Sequence, residues 1–97
     1  MGIREEYDFD LLENTAVDLV LDELQRQLAD NPSICTCQEC VLDMAALALN
    51  NVKPYYRVSL LGKLYAETAH NTKYGKEVHD AVAGAIKKIA KNPSHEV

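Results

Sequence analysis

Apolar positions recur with a helical period along most of the chain. In "DLLENTAVDLVLDELQRQLADNP", Val17, Leu21, Leu24 and Leu28 stand at heptad spacing, and Ala16 and Val20 widen the stripe. Asp18, Asp22, Glu23 and Arg26 fall largely outside it, so the segment predicts an amphipathic helix. Asp10 followed by Glu13 offers a capping box, Asn14 a competing cap, and Asn31-Pro32 a stop. A second helix is predicted over "QECVLDMAALALNN", apolar on most sides and therefore expected at the centre of the core. Asn50 and Asn51 suit a left-handed cap there, and Pro54 prevents simple continuation. "SLLGKLYAETAH" places Leu61, Leu64, Tyr65 and Thr68 on one stripe, with Ser59 as N-cap. "GKEVHDAVAGAIKKIAKNP" does the same with Val78, Val82, Ala85, Ile86 and Ile89, and its closing lysines complement a helix C-terminus. No run of strict alternation and no internal repeat stands out. The expectation is an all-α, strand-free, single-domain bundle of about four helices spanning residues 1–97.

Composition narrows the function classes. With 97 residues the chain makes one domain, and with 47% hydrophobic residues it can form a core, though a small one of the kind that leans on a metal or a partner subunit. The net charge of −5 hides an asymmetry: residues 1–50 carry eleven acidic side chains against Arg4 and Arg26, whereas residues 51–97 carry eight basic against four acidic. An acidic protein is a poor general DNA binder, so no direct DNA binding is expected. The opposed halves either attract each other, within a chain or across an antiparallel homodimer, or offer a basic surface to a small anion. The opening "MGIREEYDFD" is polar and acidic, and no run approaches a membrane span, which makes a cytoplasmic protein without membrane attachment the expectation. His70, His79 and His95 match no hydrolase or metalloprotease spacing, and the four glycines form no phosphate loop, so no enzyme is expected.

The sharpest chemical signal is Cys35, Cys37 and Cys40, a C-x-C-x-x-C just ahead of the second helix. Three readings stand side by side. Thiolates at this spacing reach one ion, zinc above all, with a fourth ligand from His70, His79, Asp43, a partner chain or water. Cys40, near a helix N-terminus, can instead carry a depressed pKa and serve redox exchange with a neighbour. Free cysteines are also among the most buried residue types, and the three could simply pack. In the following "NVKPYYRVSLLGKLY", Arg57 can pair with a guanine edge, Tyr55 and Tyr56 can stack on bases, and Lys53 and Lys63 can meet phosphate. The alternative is that the tyrosines anchor a loop over the core while the cations stay solvated.

The stretch "CTCQECVLDMAALALNNVKPYYR" resembles the signature of the ComFB family of bacterial late competence development proteins. Cys35, Cys37, Cys40, Asp43, Ala46, Ala48, Leu49, Asn50, Pro54 and Tyr56 fall on its pattern, and the resemblance extends over most of the chain. It implies a small helical, dimeric, cytoplasmic protein, with cysteines that bind zinc in some members and with members that are receptors for cyclic dinucleotide messengers. The departure is the missing fourth cysteine, which rules out a four-cysteine site within one chain. Two functions are therefore expected in competition. One is a receptor that binds cyclic di-GMP or a relative through Lys53, Tyr55, Tyr56 and Arg57 and relays the signal to a protein partner. The other is a zinc-stabilised interaction module with no ligand of its own.

Overall fold

The apolar segment expected at the centre of the core is found there. A computed structural model describes residues 2–58 and 73–93. Its elements are a single turn α1 (Ile3–Glu6), a 3₁₀ turn at Phe9–Leu11, β1 (Glu13–Asn14), α2 (Thr15–Ala29), α3 (Gln38–Leu49), β2 (Tyr56–Arg57) and α4 (Lys73–Lys91). The helix expected over residues 59–70 and the tail beyond residue 93 lie outside the described residues. Helix α3 packs against both α2 and α4, which also pack against each other. Its Cys40, Met44, Ala45 and Ala48 are buried, and Met44 and Ala48 lose all exposure. Small side chains on α3 let its neighbours approach closely, and Val20, Val78 and Val82 close the remaining space.

For α2 the structure decides between the two expected caps and corrects the expected buried face. The helix starts at Thr15 with Asn14 as its cap, the Asn14 side chain accepting from the backbone N–H of Ala16, so the Asp10–Glu13 box is not used. Its buried face consists of Thr15, Ala16, Leu19, Val20, Glu23 and Leu24, while Val17 and Leu21 are exposed. The cause is geometric. A helix that meets two neighbours buries a broad arc, and here that arc is centred on the Ala16–Val20–Leu24 row and not on the heptad of leucines. The C-terminus of α3 departs as well: Asn50 is right-handed, with φ −75° and ψ −8°, and Asn51 satisfies the end of the helix through its side chain, donating to the carbonyl of Leu47.

The strand-free expectation is corrected too. β1 and β2 form a two-stranded antiparallel sheet in which Glu13 pairs with Arg57 and Asn14 with Tyr56. Ahead of it the N-terminal segment exposes Ile3, Tyr7, Phe9, Leu11 and Leu12. Among the described residues no helix is long and apolar enough to cross a membrane.

Glu23, expected on the polar side, lies inside the α2–α4 contact. Arg26 donates to it twice, with Nε 3.0 Å from Oε1 and Nη2 at Oε2. Gln27 Nε2 donates to Oε2 at 2.6 Å and lies 3.1 Å from the carbonyl oxygen of His79 on α4. The Arg26 bond holds the Glu23 carboxyl below its ordinary range although burial pushes the other way, and Gln27 adds to the lowering. Because the folded pKa is depressed, the stability Glu23 contributes is complete above its ordinary value of 4.5 and is lost as pH falls through the lowered folded value. Urea midpoints followed from neutral to acid pH are therefore expected to fall below that value, and Glu23→Gln is expected to flatten this part of the profile.

Candidate metal centre

The cysteines sit where the chain turns from α2 into α3. After Ala29 the backbone tightens through bonds from the N–H of Asn31 to the carbonyl of Leu28 and from the N–H of Ile34 to that of Asn31, and Ile34 packs against the core. Cys37 is the N-cap of α3, with φ −68° and ψ 162°, and its Sγ accepts from the N–H of Cys40 at 3.5 Å. Cys35 and Cys37 face solvent, whereas Cys40 is 1% exposed. One sulfur is thus set by the core and two by the loop.

The three Sγ atoms lie within 4.8 Å of one another. A tetrahedral thiolate site with metal–sulfur bonds of about 2.3 Å needs sulfurs about 3.8 Å apart, so small side-chain rotations bring the three onto one ion. The donor set fits zinc: soft thiolates at a helix N-terminus, where unpaired N–H groups and the positive end of the dipole favour the negative charge of a metal-bound cluster. Among the described residues no histidine or carboxylate joins the group. His79 is engaged elsewhere, with Nδ1 3.2 Å from Asp80 and Nε2 4.0 Å from Glu23, and His70 lies outside the described residues.

Both competing readings of the cysteines lose ground. Simple packing accounts for Cys40 alone, since the other two are exposed. The depressed pKa expected of Cys40 is reversed: burial, with hydrogen bonds to Cys37 and Cys35, pushes its thiol up to about 11. The helix N-terminus does not outweigh desolvation in the absence of a cation.

The residues expected to bind a nucleotide form a second, connected cluster. Arg57 is directed inward: Nε donates to Thr15 Oγ1 at 2.6 Å, Nη2 lies 2.9 Å from Glu13 Oε2, and its side chain is 12% exposed. Tyr55 is held by its backbone, its N–H donating to Asn14 Oδ1 at 2.7 Å and its carbonyl accepting from the N–H of Thr15 at 2.7 Å. Its ring packs against Tyr74 with centroids 5.2 Å apart. Lys53 is pinned through its main chain, its N–H donating to Glu77 and its carbonyl accepting from the Tyr74 hydroxyl. Tyr56 is 62% exposed. Lys63 lies outside the described residues. Sequence reasoning missed Glu13, Asn14, Thr15 and Tyr74 as partners of this segment.

A family model described as late competence development protein ComFB matches residues 13–93. The chain belongs to the ComFB family. Among solved structures, it is similar to the late competence protein ComFB from Bacillus subtilis, with a TM-score of 0.71 and 28% identity over 86% of this chain and 92% of that one. No curated protein matches it. The ComFB match begins at Glu13, so the exposed apolar N-terminal segment lies ahead of the family's common region.

Arg57→Ala removes a hydrogen bond that joins β2 to the start of α2 and an ion pair that joins it to β1. Glu13 is more than half exposed, so the ion pair itself is screened and the Thr15 bond carries most of the effect. The expected loss is about 1–2 kcal/mol by chemical denaturation, with Arg57→Lys in between because it keeps the charge but not the fork.

Proposed function

We propose that this ComFB-family chain is a cytoplasmic regulatory binding module and not an enzyme, and that Cys35, Cys37 and Cys40 hold a zinc ion which staples the α2–α3 loop to the start of α3. The observation that supports this most is the convergence of three sulfurs within 4.8 Å from a loop, a cap and a buried helix position. When bound, the ion supplies a cross-link that a core of this size benefits from. Two copies associate through the outer face of α2, where Val17 and Leu21 are exposed. Protein purified without chelator is expected to carry about one zinc per chain and to scatter light as about twice 10.8 kDa. Chelation, Cys35→Ser and Cys37→Ser are each expected to lower its melting temperature. Substoichiometric metal together with a melting temperature indifferent to chelator would sink the reading.

A second reading is favoured by the exposure of Tyr56: a cyclic purine dinucleotide such as cyclic di-GMP stacks on this ring, Lys53 supplies charge to a phosphate, and the change is relayed to a protein partner. Tyr55 and Arg57 then act by holding the segment. Titration calorimetry is expected to detect a cyclic dinucleotide at micromolar concentration, and Tyr56→Ala to weaken it by about one to two decades, the worth of one stacked base. No heat at tens of micromolar ligand would leave the metal-stabilised module alone.

A further inference from the structure

Ahead of the residues that match the family model, the chain carries a segment that is both acidic and apolar. Ile3, Tyr7, Phe9, Leu11 and Leu12 are exposed there, interleaved with Glu5, Glu6, Asp8 and Asp10 and with one cation, Arg4. Local bonds give it shape. The N–H of Tyr7 donates to the carbonyl of Ile3, that of Asp10 to the Asp8 carboxylate, and that of Leu12 to the carbonyl of Phe9. Ile3, Arg4, Tyr7, Asp8, Phe9 and Asp10 line a hollow of about 570 Å³. The small sheet supplies a convex counterpart. Glu13 pairs with Arg57 and Asn14 with Tyr56, so the same register brings Leu12 opposite Val58, and the alternation of side chains puts both on the face that carries Tyr56. Leu12 is exposed, and Val58 is 69% exposed.

We propose that a second copy of this chain covers these surfaces by reciprocal exchange: residues 3–10 of each copy lie on the Leu12–Val58 face of the other, with Val58 seated in the hollow beside Phe9. The proposal rests on the reading that two copies associate, and it names the larger part of their interface. Size requires such a part. Val17 and Leu21, each less than half exposed, offer on the order of 150 Å² together, whereas a stable interface covers about 800 Å² per partner. Ile3, Tyr7, Phe9, Leu11, Leu12 and Val58 add on the order of 600 Å², about half of each large side chain. Val17 shares a shallow hollow with Glu13 and Asn14 of β1, so the α2 face continues the same surface. Charge selects the pairing. Two N-terminal segments face to face would set two groups of four carboxylates together, whereas the sheet face includes a strand from the basic half of the chain. Two such contacts about a two-fold axis close the assembly at two copies.

The test follows the mass of the full chain by sedimentation across micromolar concentrations, with Phe9→Ser in the segment and Val58→Asp on the sheet. Both sites are exposed, so each variant is expected to keep the circular dichroism of the unaltered chain. Each is expected to weaken the dimer about tenfold or more, and Val58→Asp more than Val58→Lys, because the face meets an acidic segment. Mixed in equal amounts, the Phe9→Ser and Val58→Asp chains are expected to associate more tightly than either alone. The mixed pair keeps one intact contact, and where Phe9 and Val58 are both lost from the other, the second loss adds little to the first. A dimer that both variants leave unmoved would overturn the proposal and leave association through α2 intact. Weakening without any gain on mixing would overturn it equally, because the segment would then meet something other than the Val58 face. A single-chain mass for the unaltered protein at every concentration would remove the dimer reading, and the proposal with it.

Discussion

Cys40 belongs to two structures at once. Its side chain is packed into the hydrophobic core with Val20, Met44 and Val78, and its sulfur is the inner member of the thiol cluster. Few large side chains are fully buried among the described residues, so the core gains modestly from size and depends on close packing of small ones. A metal anchored through Cys40 is tied directly to that packing. If the proposed ion binds, occupancy of the centre and order in the middle of the bundle would be coupled through this one residue, without a relay of side chains between them.

The charge asymmetry of the sequence finds part of its use inside a single chain. Glu13 from the acidic half pairs with Arg57 from the basic half. Asn14 adds a neutral link, its one side-chain oxygen accepting from both Ala16 and Tyr55. These contacts draw the segment around Tyr56 down onto the start of α2. They also divide the cationic and aromatic residues of that segment between two tasks: Arg57 and Tyr55 are spent on holding it in place, and Tyr56 remains outside.

Helices α2, α3 and α4 were legible because their apolar period extends over three turns or more, whereas the single turn α1 has no such period to read. The α4 stripe of Val78, Val82, Ala85 and Ile86 is buried as the period predicts. The cap at Asn14 and the cysteine cluster were legible because their signals are local. What stayed hidden depends on residues distant in sequence. Two-residue strands leave no alternation to detect, and the pairing of Glu13 with Arg57 bridges more than forty residues. The rotation of the α2 stripe away from Val17 and Leu21 depends on where α3 and α4 lie, which the period of α2 alone does not state. Glu23 looked like a surface carboxylate because the partners that make its burial tolerable include the main chain of another helix, met through Gln27. The Cys40 thiol was misjudged for a related reason, since a helix terminus can be seen in a sequence and the depth of the sulfur cannot.

The bonds that close the small sheet bear on motion as well as shape. The first turn of a helix ordinarily frays by itself, its N–H groups opening to water at little cost. Here the N–H of Thr15 is bonded to Tyr55, the Thr15 hydroxyl to Arg57, and the Asn14 cap is shared with the N–H of Tyr55. Opening the start of α2 therefore means releasing the Tyr55–Arg57 segment in the same event. The two stretches, forty residues apart in the chain, are joined by these bonds into one unit, whose amide hydrogens are expected to share one opening free energy.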